Sequence, residues 1–310
     1  MAINTLEKAA LFQKSLDLLA VQELTTGWMD KNAGQVKYSG GKEVKIPKME
    51  LDGLGNYDMD NGFERGSVKL EYETREMTQD RGRSFSLDPR EVDESNFVPE
   101  ASRVMGEFQR TRVIPEIDAY RISKVATDVI AADKAGMIEY GYTPGATDTS
   151  ALRKLKEAIK ASRDSYLGPL VCQATSDFIL ELEMELSDRI RVADFAKGGI
   201  VTKVPMVDGV PIIETSSDRM VTSIKINDGK TEGQKQGGFE KGTSAKDINF
   251  FVSPSTAPIA VTKLDNMRIF DPNTNQKANA WLLDYRRFHD LWTLDNQIKH
   301  VFLSIKEAKS

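Results

Sequence analysis

Residues 93–132 read DESNFVPEASRVMGEFQRTRVIPEIDAYRISKVATDVIAA, and this stretch decides the architecture around it. Phe97, Ala101, Val104, Met105 and Phe108 fall at offsets of four, three, one and three, an apolar stripe of helical period. Ile114, Ile117, Ile122, Val125 and Val129 continue such a stripe. Asp93, Glu94 and Ser95 supply capping and dipole-complementing groups at its start. Pro99 comes early enough in a helix to be tolerated. Pro115 does not, and it predicts a kink or a division there, because proline lacks the ladder N–H and its ring strikes the carbonyl four residues back. A helix of about 35 residues is roughly 50 Å long. That is more than a compact domain needs, so the stretch predicts a flat or extended subunit.

Upstream of the helix the texture changes. Val44-Lys45-Ile46 alternates and then meets Pro47, and Val68-Lys69-Leu70-Glu71-Tyr72-Glu73 alternates between apolar and charged residues. The turn-rich run Asp52-Gly53-Leu54-Gly55-Asn56-Tyr57-Asp58-Met59-Asp60-Asn61-Gly62 lies between them. Together they predict a long, strongly charged hairpin. A two-stranded hairpin alone is marginal in water. It must either project onto a partner surface or pack on its own core as part of a sheet. Earlier still, Ala9, Phe12, Leu16 and Leu19 place an amphipathic helix over 4–24, although Leu11 and Leu18 lie off the stripe. Thr25-Thr26-Gly27 ends it. Trp28 then follows, an aromatic that either docks on another molecule or folds back on its own domain.

Downstream, helix and strand alternate, which argues for a mixed α/β region. Asp148 or Thr149 caps a helix from about Leu152 to Ala161 with Leu152, Leu155 and Ile159 buried. Leu170-Val171-Cys172 reads as a buried strand, and Thr175-Ser176-Asp177 caps a helix carrying Phe178, Leu182 and Leu186. Val210-Pro211-Ile212-Ile213 is a strand. Residues 227–246 read as a flexible surface loop. Phe250-Phe251-Val252 and Ile259-Ala260-Val261 are strands around a Ser253-Pro254 turn. Residues 280–305 are rich in strand formers, though their first third could equally be helical.

Composition narrows the function classes. The chain has 310 residues, with 42 basic and 47 acidic side chains and a net charge of −5, so no global basic footprint marks a nucleic-acid binder. The single cysteine, Cys172, allows no intrachain disulfide and suits a reducing compartment. The first residues lack the pattern of a signal peptide, and no apolar run approaches a membrane span. His289 and His300 are the only histidines, and both read as satisfied structural residues beside aromatics. Asp228-Gly229-Lys230-Thr231 fails as a phosphate loop because Ile224 stands where glycine is needed. Asp58-x-Asp60-x-Gly62 fails as a calcium loop because Phe63 and Lys69 occupy the positions of its glycine and its glutamate. The residues alone describe an α+β protein with a projecting hairpin, a long helix and no visible catalytic site.

The order of these elements resembles the HK97 fold of tailed-phage major capsid proteins. Several segments also resemble capsid proteins of phages of low-GC Gram-positive bacteria. Among them are Thr26-Gly27-Trp28-Met29, the 40–47 run GGKEVKIP, the 78–83 run TQDRGR, the 105–111 run MGEFQRT and the 115–120 run PEIDAY. The 209–213 run GVPII and the 264–270 run LDNMRIF fit too. No single motif is diagnostic; the combination and its order are, over nearly the whole chain.

The resemblance implies an N-terminal arm over 1–34, an extended E-loop hairpin over 35–90 and a spine helix of the peripheral domain over 91–135. An axial domain over 136–248 follows, and return strands over 249–310 complete both domains. It implies a structural shell subunit without catalytic residues, cofactor or metal, assembled in the bacterial host cytoplasm into the virion capsid. The implied partners are copies of itself in hexamers and pentamers, a separate scaffolding protein, a portal protein and packaged double-stranded DNA bound without sequence specificity, with no membrane. In this fold the E-loop lies over a neighbouring subunit. The contact candidates are accordingly Trp28, Tyr57, Phe63, Arg65, Lys69, Arg81 and Arg83. An encapsulin-type nanocompartment shell is the second reading. An enzyme with an unrecognised site or a tail-tube protein ranks below both.

Overall fold

The computed structural model describes residues 24–57, 59, 62–63, 65–87, 97–146, 150–186, 191–197 and 200–309. The helix expected over 4–24 lies outside the described residues except for Leu24, as do the capping residues 93–95. A 3-10 turn, Gly27–Gln35, leads into β1 (Lys37–Gly40), β2 (Glu43–Leu51), β3 (Val68–Glu76) and β4 (Gln79–Leu87). Next come α1 (Phe97–Phe108), a π-helical turn (Gln109–Val113) and α2 (Ile114–Ala132). They are followed by β5 (Ile138–Tyr140), α3 (Ala151–Arg163), β6 (Leu170–Thr175), α4 (Ser176–Leu186), β7 (Arg191–Lys197), β8 (Ile200–Val207) and β9 (Val210–Thr215). The chain closes with β10 (Ile224–Ile226), β11 (Phe239–Lys241), β12 (Ile248–Pro254), β13 (Pro258–Phe270), β14 (Trp281–Thr293), α5 (Asp295–Ile298) and β15 (Phe302–Ile305).

The long helix is present, and its irregularity falls just ahead of Pro115. Pro115 cannot donate to the carbonyl of Thr111, and the ladder adjusts by widening. The Ile114 N–H reaches back five residues to the Gln109 carbonyl. Proline then occupies the first turn of α2, where its missing N–H costs nothing.

A seven-stranded sheet of order β5-β15-β12-β6-β9-β8-β7 forms the centre. Successive side chains of a strand point to opposite faces. Cys172, Ile212, Phe250, Val252 and Phe302 therefore face α3 and α4, packing with Leu155, Phe178 and Leu182. Val171, Ile213, Phe251, Leu303 and Ile305 face α2, packing with Ile122, Val125, Ala126 and Val129. Cover on both sides explains why these strands read as continuous apolar runs. Burial pushes the Cys172 thiol well up, which leaves it an inert core group.

A second sheet of order β13-β14-β4 runs along α1 and the π turn, where Met105, Met267, Leu283 and Tyr285 form a core with Phe85 and Phe108. Residues 79–87 thus leave the hairpin region and pair with β14 in register from Trp281↔Leu87 to His289↔Gln79.

Several local expectations shift. Ser150 caps α3, its hydroxyl accepting the Arg153 N–H at 3.2 Å, and the expected caps Asp148 and Thr149 lie outside the described residues. Thr175 caps α4 through the Phe178 N–H at 3.4 Å. The Ser253-Pro254 pair belongs to β12, and the turn follows it, closed by the Ala257 N–H on the Pro254 carbonyl. The first third of 280–305, where helix and strand were both open, is strand from Trp281 onward, part of β14. Within 227–246 the ladder of β10 with β11 clamps the loop, and Asp228 accepts from the N–H groups of Lys230 and Thr231. The Thr231 hydroxyl donates to it as well, and that bond first, then the two N–H groups, holds its carboxyl down at about 2.

Two charged residues sit where α2 is otherwise apolar. Asp118 accepts from the N–H groups of Thr25 (3.1 Å) and Thr26 (2.9 Å), from the Thr26 hydroxyl (2.7 Å) and from Arg219 (3.1 Å). Arg121 donates to the Thr26 carbonyl and forks onto Asp30 at 2.7 and 3.1 Å. Both side chains are fully buried. They bind residues 24–36 to the helix, assisted by Asn32 donating to the carbonyls of Ser255 and Pro258 at 2.8 Å each.

The two histidines part company. His300 shares a hydrogen bond with Ser165 at 2.7 Å and stacks on Tyr166. His289 is buried edge-on to Tyr120, and its Nδ1 finds no partner among the described residues. Burial, then the cations Arg287, Arg121 and Arg81, hold its imidazole neutral to well below the usual range.

Two outcomes follow. Asp118→Ala strands Arg219 and two N–H groups, and should lower unfolding free energy by about 3–5 kcal/mol in urea titrations of unassembled chain. An exposed control, Glu107→Ala, should leave the midpoint unchanged. The unfolded chain takes up the His289 proton near pH 6.5. The folded chain does not, so stability is complete above that pH and declines below it. Between pH 7 and 5 the parent should lose more of its urea midpoint than His289→Gln; equal losses would clear the buried imidazole.

Candidate assembly surface

The hairpin of β2 and β3 carries its apolar residues on two different sides. Register pairs Val44↔Arg75, Ile46↔Glu73, Pro47↔Tyr72, Met49↔Leu70 and Leu51↔Val68. By strand alternation Val44 and Ile46 share one side, while Pro47, Met49, Leu51, Val68, Leu70 and Tyr72 share the other. The first side is covered by the chain itself. Val44 and Ile46 pack with Met77, Ile259, Val261, Phe288 and Trp292. The second side has no cover among the described residues. Met49, Leu51, Val68 and Leu70 are 53–68% exposed, and the tip adds Leu54, Met59 and an edge-to-face Tyr57–Phe63 pair at 4.9 Å. Monomeric proteins rarely leave such a continuous apolar strip open to water.

The root of the hairpin is fastened. The Met77 N–H donates to the Lys42 carbonyl at 2.9 Å. Buried Asp290 accepts from the Thr78 N–H (2.7 Å), the Thr78 hydroxyl (3.0 Å) and the Tyr120 hydroxyl (2.6 Å). Burial and the neighbouring Asp290 carboxylate push the Tyr120 phenol well up, so it stays a donor. Spine helix, return strand and hairpin therefore meet at one side chain, and the projecting half has a rigid base.

The contact candidates divide. Tyr57, Phe63, Arg65 and Lys69 lie exposed on the hairpin and its tip. Trp28 is different. It is 2% exposed, packed with Met29, Val125, Val129 and Leu291 in the core beneath the central sheet. The expectation that it reaches a neighbour is corrected: the Asp118–Arg121 clamp turns its segment inward. Arg81 forks onto Glu116 at 2.7 and 3.1 Å and donates to the Asn227 carbonyl at 2.9 Å. Arg83 donates to the Lys235 carbonyl at 3.1 Å. Both work within the chain, tying β4 to α2 and to the loop between β10 and β11. They line a cavity of about 510 Å³ that Arg112, Lys230, Phe85 and Phe108 also border.

Sequence reasoning missed Asp118, Arg121 and Asp290. The first two gave a signal: opposite charges three residues apart among Ile114, Ile117, Ile122 and Val125 must be buried with partners. Asp290 gave none, since its partners are 170 and 212 residues away.

No protein-family model and no curated protein matches the chain. Solved structures do. A capsid structure of the cyanophage P-SCSP1u matches 88% of this chain and 86% of its own, at a TM-score of 0.54 and 13% identity. The capsid of Staphylococcus phage Andhra matches 88% of this chain and 82% of its own, at 0.54 and 9%. The mature capsid of bacteriophage PhiM1 matches 86% and 82%, at 0.51 and 12%. Hairpin, long helix and central sheet follow one another in the order that the resemblance implies. The chain has the α+β, HK97-like fold of phage capsid proteins.

Proposed function

We propose that this chain is a major capsid protein whose copies assemble into an icosahedral phage shell. The observation that carries the reading is the outer half of the hairpin. Among the described residues nothing covers its apolar side, while its root is fastened through Asp290, and this supports a completing surface supplied by another molecule. Burying a large apolar side chain contributes about 1.5–3 kcal/mol. Contacts of that size, repeated by symmetry, stabilise a shell. The role is structural, not catalytic.

The finer reading follows the resemblance. The arm is 1–34, the E-loop 35–90, the spine 91–135, the axial domain 136–248 and the return strands 249–310. The hairpin lies over a neighbouring copy in hexamers and pentamers, with Tyr57, Phe63, Arg65 and Lys69 at the contact. A separate scaffolding protein and a portal are the further partners, assembly takes place in the host cytoplasm, and packaged double-stranded DNA is held without sequence specificity.

Electron microscopy of the purified protein should show hollow icosahedral shells or rings of five and six. One uniform small shell with a co-purifying enzyme would turn the reading to an encapsulin. A discrete monomer or dimer in every salt and crowding condition, with or without a scaffold candidate, would refute it. Shell yield by light scattering should vary with ionic strength, because β2 and β3 also carry dense charge; identical profiles at low and high salt would contradict that. Met49→Ser with Leu70→Ser should keep the urea midpoint of the parent and cut shell yield at least tenfold. Undiminished yield would show that the strip is not an assembly contact.

A further inference from the structure

α3 and α4 lie side by side on one core, and their charges are segregated. α3 contains Arg153, Lys154, Lys156, Lys160 and Arg163 against the single carboxylate Glu157. α4 contains Asp177, Glu181, Glu183 and Glu185 and no cation. Neighbouring helices of opposite charge would be expected to neutralise each other. Here, among the described residues, no ion pair joins them. Lys154 pairs with Glu139, Arg153 with Glu157 on its own helix, and Lys156 with Asp208 at 3.7 Å. Glu185 is used by backbone and hydroxyl donors at the start of α3, the N–H groups of Ala151 and Leu152 and the Ser150 hydroxyl. Arg153, Lys156 and Lys160 on α3 and Asp177 and Glu183 on α4 remain exposed, with Glu181 half-buried beside Gly145.

Each face also has relief. On α4, Leu180 and Met184 are four residues apart, 57% and 69% exposed, and form an apolar ridge with Glu183 beside it. On α3, Ser150, Leu152, Arg153, Lys156, Glu157 and Lys160 line a shallow depression of about 400 Å³. Half-buried Leu152 and the hydrocarbon stems of the cations give it an apolar floor, and their charged ends give it a basic rim.

We propose that the acidic, apolar ridge of α4 seats in the basic depression of α3 on a second copy of this chain. The two surfaces are complementary in charge and in relief. Both are on every copy, so no other partner is needed to satisfy them. Ridge and depression are different residues, so one copy engages two neighbours. Such a head-to-tail contact closes into a ring when the rotation permits. The inference rests on the capsid reading for its setting, and it names a contact separate from the hairpin.

Charge exchange tests it. Glu181→Lys with Glu183→Lys should reduce shell yield at least tenfold, and Lys156→Glu with Lys160→Glu should do the same. All four changes in one chain should restore assembly to within about twofold of the parent, because the signs again match. Urea midpoints near that of the parent confirm that each variant folds; a variant that does not fold is replaced by its Gln counterparts. Parent-like assembly of either reversed pair, or no recovery in the combined variant, overturns the contact while shells of the parent keep the capsid reading intact. Should the parent form neither shells nor rings, with or without a scaffold candidate, the capsid reading falls. The contact is then read by sedimentation equilibrium at high protein concentration. Self-association lost in each pair and regained in the combination supports it, and equal association in all four proteins overturns it.

Discussion

Asp118 and Arg121 face the same way from α2, and the segment before the hairpin is held by them. A buried carboxylate survives only with its lone pairs engaged, and Asp118 accepts from four donors. Arg121 is held by the Thr26 carbonyl and by both oxygens of Asp30. Apolar side chains of the same volume could make such a site as stable, and what a buried ionic network adds is discrimination among alternatives. Here the alternatives are the directions in which residues 24–36 can leave the helix. One choice puts Trp28 into the core under the central sheet and delivers the chain to β1. Everything the hairpin does afterwards depends on that starting point.

On the proposed reading, the hairpin solves a problem general to shell subunits. It must remain folded before its partner is present and still offer an apolar surface when the partner arrives. The change of apolar side between Ile46 and Met49 does both. The inner half is secured by the chain, and Asp290 at the root makes its position a property of the spine helix and the return strand together. The outer half contributes little to the stability of the free subunit. Its opposite side, with Lys48, Lys69 and Glu71, keeps it soluble and discourages indiscriminate pairing of strand edges.

Much of this could be read from residue order. The alternation in 68–73, the stripes of 97–129 and the caps at Thr175 and near Ser150 are local patterns, and local patterns survive the passage from sequence to structure. The places that could not be read depend on distant partners. Residues 79–87 alternate weakly, and only β14, some two hundred residues on, makes them a strand. Trp28 stood equally for an outward or an inward role because the clamp that decides it is 90 residues away. The first third of 280–305 balanced helix against strand until β4 and β13 flanked it. The exposed strip was visible as alternation, but its change of side required the register.

On the proposed reading two kinds of contact would coexist on one subunit, and they would respond differently to solution. An apolar strip gains from salts that are excluded from protein surface and is indifferent to screening. Opposed charges on α3 and α4 weaken as the Debye length falls below the separation of exposed groups, near 10 Å at about 0.1 M salt. The first gives strength without direction, since any apolar surface will satisfy it. The second gives direction with little strength, since exposed pairs contribute only tenths of a kcal/mol to about 1 kcal/mol each. A shell needs both, because a subunit that bound strongly in the wrong orientation would close no ring. Charge written on two helices can select the orientation, and the hairpin can then hold it.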